Sequence, residues 1–98
     1  MTQTRERRIR NVALDLQDTD ATRSIIEAIE KDNPNVEVRR MPGMVKVISP
    51  GHLAIRRTTV EEILGQPWDT QDLQMVIISL SGNVHEWDED EIVIKWDR

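Results

Sequence analysis

Apolar residues along this chain recur at two periods. Val12, Leu14 and Leu16 alternate with Ala13, Asp15 and Gln17, the spacing of a strand with one buried face. Asp18-Thr19-Asp20 interrupts it and offers oxygens to cap a helix. From Ala21 to Asp32 the apolar positions Ile25, Ile26, Ala28 and Ile29 fall on one helical face, opposite Glu27, Glu30 and Lys31. Asn33-Pro34 ends that helix, because proline lacks an amide hydrogen and biases the residue before it toward extended backbone. Val36 and Val38 predict a second strand, and Val45 and Val47 a third. Met41-Pro42-Gly43-Met44 is the turn between them, so the pair reads as a hairpin.

Ser49-Pro50-Gly51 turns the chain into a fourth strand, His52 to Arg57, with Leu53 and Ile55 in phase. Thr58 to Glu61 has the capping-box pattern and predicts a helix over 59–64 that stops at Gly65. Asp69 and Asp72 can cap a single turn before Leu73. Leu73 to Leu80 is the longest apolar run and predicts a central strand buried on both sides. Ser81-Gly82-Asn83 closes it. A weak strand over Val84 to Trp87, an acidic turn and a clean alternation over Glu91 to Trp96 complete the chain.

The predicted order is β-α-β-β-β-α-β-β-β: an α+β domain with two or three short helices and a mostly antiparallel sheet, since many connections are too short for parallel crossovers. The 98 residues suit a single domain over 11–98, preceded by a basic, mobile arm over 1–10. No apolar run approaches the roughly 20 residues of a membrane span, and the N-terminal segment lacks the apolar core of a signal peptide. A soluble, cytoplasmic protein is expected.

Charge is blocked along the chain. The net charge is −5, yet residues 1–10 carry +3 (four arginines against Glu6), residues 37–57 carry +4 (five bases against Glu37) and residues 83–98 carry −4 (six acids against two bases). An acidic total opposes general nucleic-acid binding, whereas local patches suit steering toward a protein partner.

Candidate chemistry is sparse. There is no Cys, Tyr or Phe, and the two histidines, His52 and His85, lie on separate predicted strands. Disulfides, thiolate nucleophiles and thiolate metal sites are thereby excluded. No serine stands in a nucleophile-elbow pattern, and no glycine pattern cradles phosphate. Asp88 to Glu91 lacks the ligand spacing of a calcium loop. Trp68 and Trp96 read as core, while Trp87, in the acidic segment, reads as core or as a rim contact. Met41 and Met44 bracket a turn, where flexible thioethers serve either core filling or an adaptable contact.

Four segments carry a resemblance: Lys31-Asp32-Asn33-Pro34, Met41-Pro42-Gly43-Met44-Val45-Lys46-Val47, the run from Thr59 to Asp69, and Ile78-Ser79-Leu80-Ser81-Gly82-Asn83. In order and spacing they resemble the small regulatory (effector or coupling) proteins of bacterial multicomponent monooxygenases, nearest the phenol hydroxylase branch. The resemblance spans Val12 to Trp96. It implies a non-enzymatic subunit without cofactor or metal, active as a monomer, that binds a di-iron hydroxylase and couples oxygen activation and electron delivery from a reductase to substrate hydroxylation. It also implies that the Leu73 to Leu80 strand and the turn after it face the hydroxylase, giving Val76, Ser79, Ser81, Gly82 and Asn83 as contacts. Asn33, Met41 and Met44 join them because they follow the family pattern, although a helix cap and a hairpin turn also account for them. Two other readings remain open on residues alone: a small α+β ligand-binding sensor domain, and an enzyme relying on a carboxylate or histidine.

Overall fold

The computed structural model describes residues 10–96; the predicted arm lies outside the described residues except for Arg10. Strand β1 (Asn11–Gln17) is followed by helix α1 (Asp20–Asp32), the hairpin β2 (Glu37–Met41) and β3 (Met44–Pro50), then β4 (His52–Arg56) and helix α2 (Arg57–Leu64). A 3-10 helix (Thr70–Met75) leads into β5 (Ile77–Ser81), β6 (Asn83–Trp87) and β7 (Glu91–Lys95). This is the predicted α+β order. The strands form two antiparallel sheets, β2-β3-β1-β5 and β4-β7-β6.

Alternation in sequence becomes sidedness in the fold. Val12, Leu14 and Leu16 of β1 and Val45 and Val47 of β3 are fully buried, and with Leu53, Ile55, Ile92 and Ile94 of the smaller sheet they meet the apolar face of α1 in one core. Thr19 caps α1, its Oγ1 accepting the Thr22 N–H at 3.2 Å. The expected capping box of α2 does not form. That helix starts at Arg57 with no side-chain cap, and Glu61 instead accepts the Trp68 N–H at 2.9 Å and pairs with Arg57 at 3.3 Å. Glu61 thus fixes the loop that closes Trp68, 9% exposed, over the end of the core.

The two sheets share long strands bent at glycines. Only Gly51 (φ 83°) separates β3 from β4, and only Gly82 (φ 141°) separates β5 from β6. Both φ values lie where residues with a Cβ are strained. At Gly82 space is also lacking, because a Cβ there would come within 2.8 Å of Ile94 Cγ2. The start of β1 and the end of β7 meet at this corner, where Trp96 Nε1 donates to the Asn11 carbonyl at 2.9 Å and the Arg10 guanidinium stacks 3.8 Å from the Trp96 ring centre.

The Leu73 to Leu80 run departs from expectation. It is not a central strand buried on both faces. Leu73 belongs to the 3-10 helix, and β5 is the terminal strand of its sheet with Ile78, Ser79 and Ser81 exposed. A run of apolar residues reports a preference to leave water, and a single chain does not say whether its own core or another molecule provides the cover.

Candidate functional site

Because β5 ends one sheet and β6 ends the other, the two form one continuous edge from Ile77 to Trp87 with no strand on its outer side among the described residues. Residues 73–85 contain no Asp, Glu, Lys or Arg, the longest such stretch in the chain. Met75, Ile78 and Val84, exposed by 75%, 50% and 46%, lie on or beside this edge and are three of the four large exposed hydrophobics among the described residues; Met41, at 36%, is the fourth. Ser79, Ser81 and Asn83 are exposed between them. A bulge enters the pairing of β5 with β1, since Asp15 is opposite Ser79 but Leu16 is opposite Ile77, leaving Ile78 outside the ladder.

The edge continues into the outer face of the four-stranded sheet. Pairing register lines up Arg39, Lys46, Asp15 and Ser79 in one row and Glu37, Ile48, Ala13 and Ser81 in the next. Met41 and Met44 pair with each other, and Met44 pairs with Gln17, whose N–H donates to the Val76 carbonyl at 2.8 Å. All the outer side chains of the first two rows are exposed or half-buried. Ser79 Oγ donates to Asp15 Oδ2 at 2.6 Å, and Lys46 Nζ lies 3.1 Å from Asp15 Oδ1. Led by the Ser79 bond and aided by Lys46, against a desolvation cost, this holds the Asp15 carboxyl below its ordinary pKa.

The structure therefore gathers Met41, Met44, Ser79, Ser81 and Asn83 on one face and its edge, and accounts for the other three predicted contacts in other ways. Asn33 is 5% exposed. Its amide donates to the carbonyls of Ile29 and Ala54, each at 2.8 Å, and its oxygen accepts the Ala54 N–H at 3.0 Å, which ties the end of α1 to β4. Val76 is 9% exposed and packs in the core. Gly82 is the bend at which no side chain fits. Met75, Ile78 and Val84 were missed by the sequence reading; the signal available for them was the uncharged run itself.

Elsewhere, a cavity of about 460 Å³ opens between α1, α2 and the 3-10 helix, lined in part by Ile25, Leu64, Trp68, Met75 and Val76. Among the described residues no three His, Cys, Asp or Glu side chains are grouped to hold a metal ion, and no helix is long and apolar enough to cross a membrane.

A two-sheet α+β domain with exposed apolar residues gathered mainly along one stretch of sheet edge has the surface of a docking protein. The chain is a member of the MmoB/DmpM family, whose model matches residues 10–95. It is 42% identical to the phenol 2-monooxygenase stimulatory component DmpM of Pseudomonas sp. (strain CF600) over 85 residues, 87% of this chain and 93% of that protein. A chain in the structure of a phenol hydroxylase–regulatory protein complex superposes with a TM-score of 0.85 and 36% identity, covering 90% of this chain and 100% of that one. The soluble methane monooxygenase regulatory protein B shares the fold, with a TM-score of 0.68 and 22% identity over 89% of this chain and 65% of its own.

Proposed function

We propose that this protein is the regulatory component of a multicomponent phenol-type monooxygenase, acting in the cytoplasm as a monomer and without a cofactor. It docks on the di-iron hydroxylase and couples oxygen activation and electron delivery from the reductase to hydroxylation. The observation that carries the docking reading is the stretch of the β5–β6 edge up to His85, which has no Asp, Glu, Lys or Arg, with Met75, Ile78 and Val84 exposed on or beside it. The proposed contact set is these three with Ser79, Ser81 and Asn83, extended across the open sheet face to Met41 and Met44. Asn33, Val76 and Gly82 act instead as scaffold beneath it.

A subunit without reacting groups changes its partner's rate only by binding one conformation of that partner more tightly than another. An apolar edge suits this role, since it gains most where the partner offers a matching apolar surface and little where it does not. The test is reconstitution. Adding the purified protein to a phenol hydroxylase and its reductase should raise product formation and the fraction of NADH converted to product, with an optimum near one effector per hydroxylase active site. An unchanged rate and unchanged coupling would reject the reading. The cavity of about 460 Å³ is an observation that favours a ligand sensor; saturable binding of a small apolar ligand with no hydroxylase present would support that alternative.

A further inference from the structure

We infer that Asp15 is a positioning residue of the docking face, which fixes the Ser79 hydroxyl as a hydrogen-bond acceptor and thereby requires a donor group on the hydroxylase surface opposite. The inference rests on the docking reading above and adds to it the polarity of one contact. A serine hydroxyl has one proton and two lone pairs, and on a free surface it rotates to donate or accept as a partner demands. Ser79 does not have that freedom. It lies directly across the ladder from Asp15, and its Oγ is 2.6 Å from Asp15 Oδ2, within the short range of hydroxyl-to-carboxylate bonds.

The carboxylate is in turn held in place. Its other oxygen is 3.1 Å from Lys46 Nζ, and the Asp15 side chain is only 14% exposed whereas that of Lys46 is 31% exposed. Lys46 is followed in the row by Arg39, which is engaged with Glu37 at 2.6 Å. On β1 the neighbouring outward positions are Ala13 and Gln17, neither of which titrates. The charges facing Asp15 are thus basic, and the carboxylate stays ionised and acceptor-only. Ser79 must give it the proton, so the lone pairs of an exposed oxygen are what the edge presents, beside the exposed apolar side chain of Ile78. A partner surface with another acceptor there would meet repulsion from both Ser79 and the carboxylate behind it, while an amide, hydroxyl or cationic donor would meet a hydroxyl polarised by a charge.

The experiment is a double-mutant cycle on affinity for the hydroxylase of phenol 2-monooxygenase from Pseudomonas sp. (strain CF600), freed of its own stimulatory component. Asp15→Asn and Ser79→Ala should each weaken binding roughly 3- to 10-fold, about the worth of one net hydrogen bond. The double variant should be no weaker than Ser79→Ala alone, because Asp15 acts through Ser79. Ser79→Thr, which keeps the hydroxyl, should restore most of the affinity. Thermal midpoints of the free variants set a temperature at which every variant is folded, so that the affinities compared there report the contact and not the fold. Additive losses, or an Asp15→Asn variant that binds like the wild type, would overturn the inference while leaving the docking reading standing. Failure of the wild type to bind or stimulate the hydroxylase would remove the docking reading and the inference with it.

Discussion

The two ends of the four-stranded sheet are built in opposite ways. At one end β2 carries Glu37, Arg39 and Arg40 in five residues, with Glu37 and Arg39 paired at 2.6 Å. This is the usual protection of a sheet edge, where charge discourages another chain from adding to the ladder. At the other end β5, continued by β6, has no charged residue before Glu86 and exposes Ile78 and Val84. Both strands lie at a sheet margin, and charge is concentrated on only one of them, although β2 ends in the exposed Met41. The contrast supports the proposed docking edge more strongly than exposure alone, because charge is concentrated on one margin of the sheet and absent from residues 73–85 at the other.

The largest effect should come from Gly82, with Gly43 at the other end of the sheet as its control. Gly82→Ala brings a methyl group against Ile94 at an unfavourable φ, and should cost about 2–4 kcal/mol in urea unfolding from overpacking and backbone strain together. Gly43→Ala, in the β2–β3 turn with open space around it, should cost only about 1 kcal/mol. Equal losses would mean that the β5–β6 bend is an ordinary turn. Next, Asn33→Ala should lower stability by roughly 2 kcal/mol by leaving buried backbone groups unpaired, yet leave hydroxylase affinity unchanged once the variant is folded. A loss of affinity at full folding would return Asn33 to the contact surface.

Charging the undefended edge is the direct test of the comparison. Ile78→Lys or Val84→Lys should reduce hydroxylase affinity at least about 10-fold, on the order of 1.4 kcal/mol, with little change in thermal stability. Reversing a charge on the defended edge, Arg40→Glu, should change affinity less than about 2-fold in physiological salt, where exposed charges are screened. The reverse ranking, read by titration of hydroxylase turnover, would move the interface to β2.

The smallest effect is a pH dependence. Asp15 is held below its ordinary pKa in the folded protein, first by Ser79 and then by Lys46. A depressed carboxyl pKa contributes stability that is present above the unfolded value of about 3.9 and is lost as pH falls through the folded value. The stability difference between wild type and Asp15→Asn should therefore be level near neutrality and shrink as the solution is acidified below about pH 4. A difference that persists unchanged in acid would mean that the carboxylate pairing contributes nothing to the fold.

Most of the scaffold was legible because its period matched its burial. Val12, Leu14 and Leu16, or Ile92 and Ile94, alternate with polar residues and point into the core. The docking edge was legible in place but not in kind. Resemblance points to Ser79, Ser81 and Asn83, which are exposed on that edge, whereas Ile78 falls in a run that reads as a buried central strand because apolar character does not distinguish cover by the same chain from cover by another. Asn33 failed in the opposite sense: a polar residue before proline looks like a surface turn, and only the approach of Ala54 from β4, distant in sequence, shows that its amide is consumed inside. The division into two sheets was likewise hidden, since one glycine between two strands does not announce whether the chain reverses or bends.

That bend has a mechanical consequence. The apolar edge crosses from one sheet to the other at Gly82, so Ile78 and Val84 are mounted on different sheets, with the angle between them set by a glycine seated against Ile94 and Val12. The corner has no room for a side chain, since a Cβ at position 82 would come within 2.8 Å of Ile94 Cγ2. If the proposed edge is the docking surface, a partner gripping both halves of it meets a template instead of a ribbon.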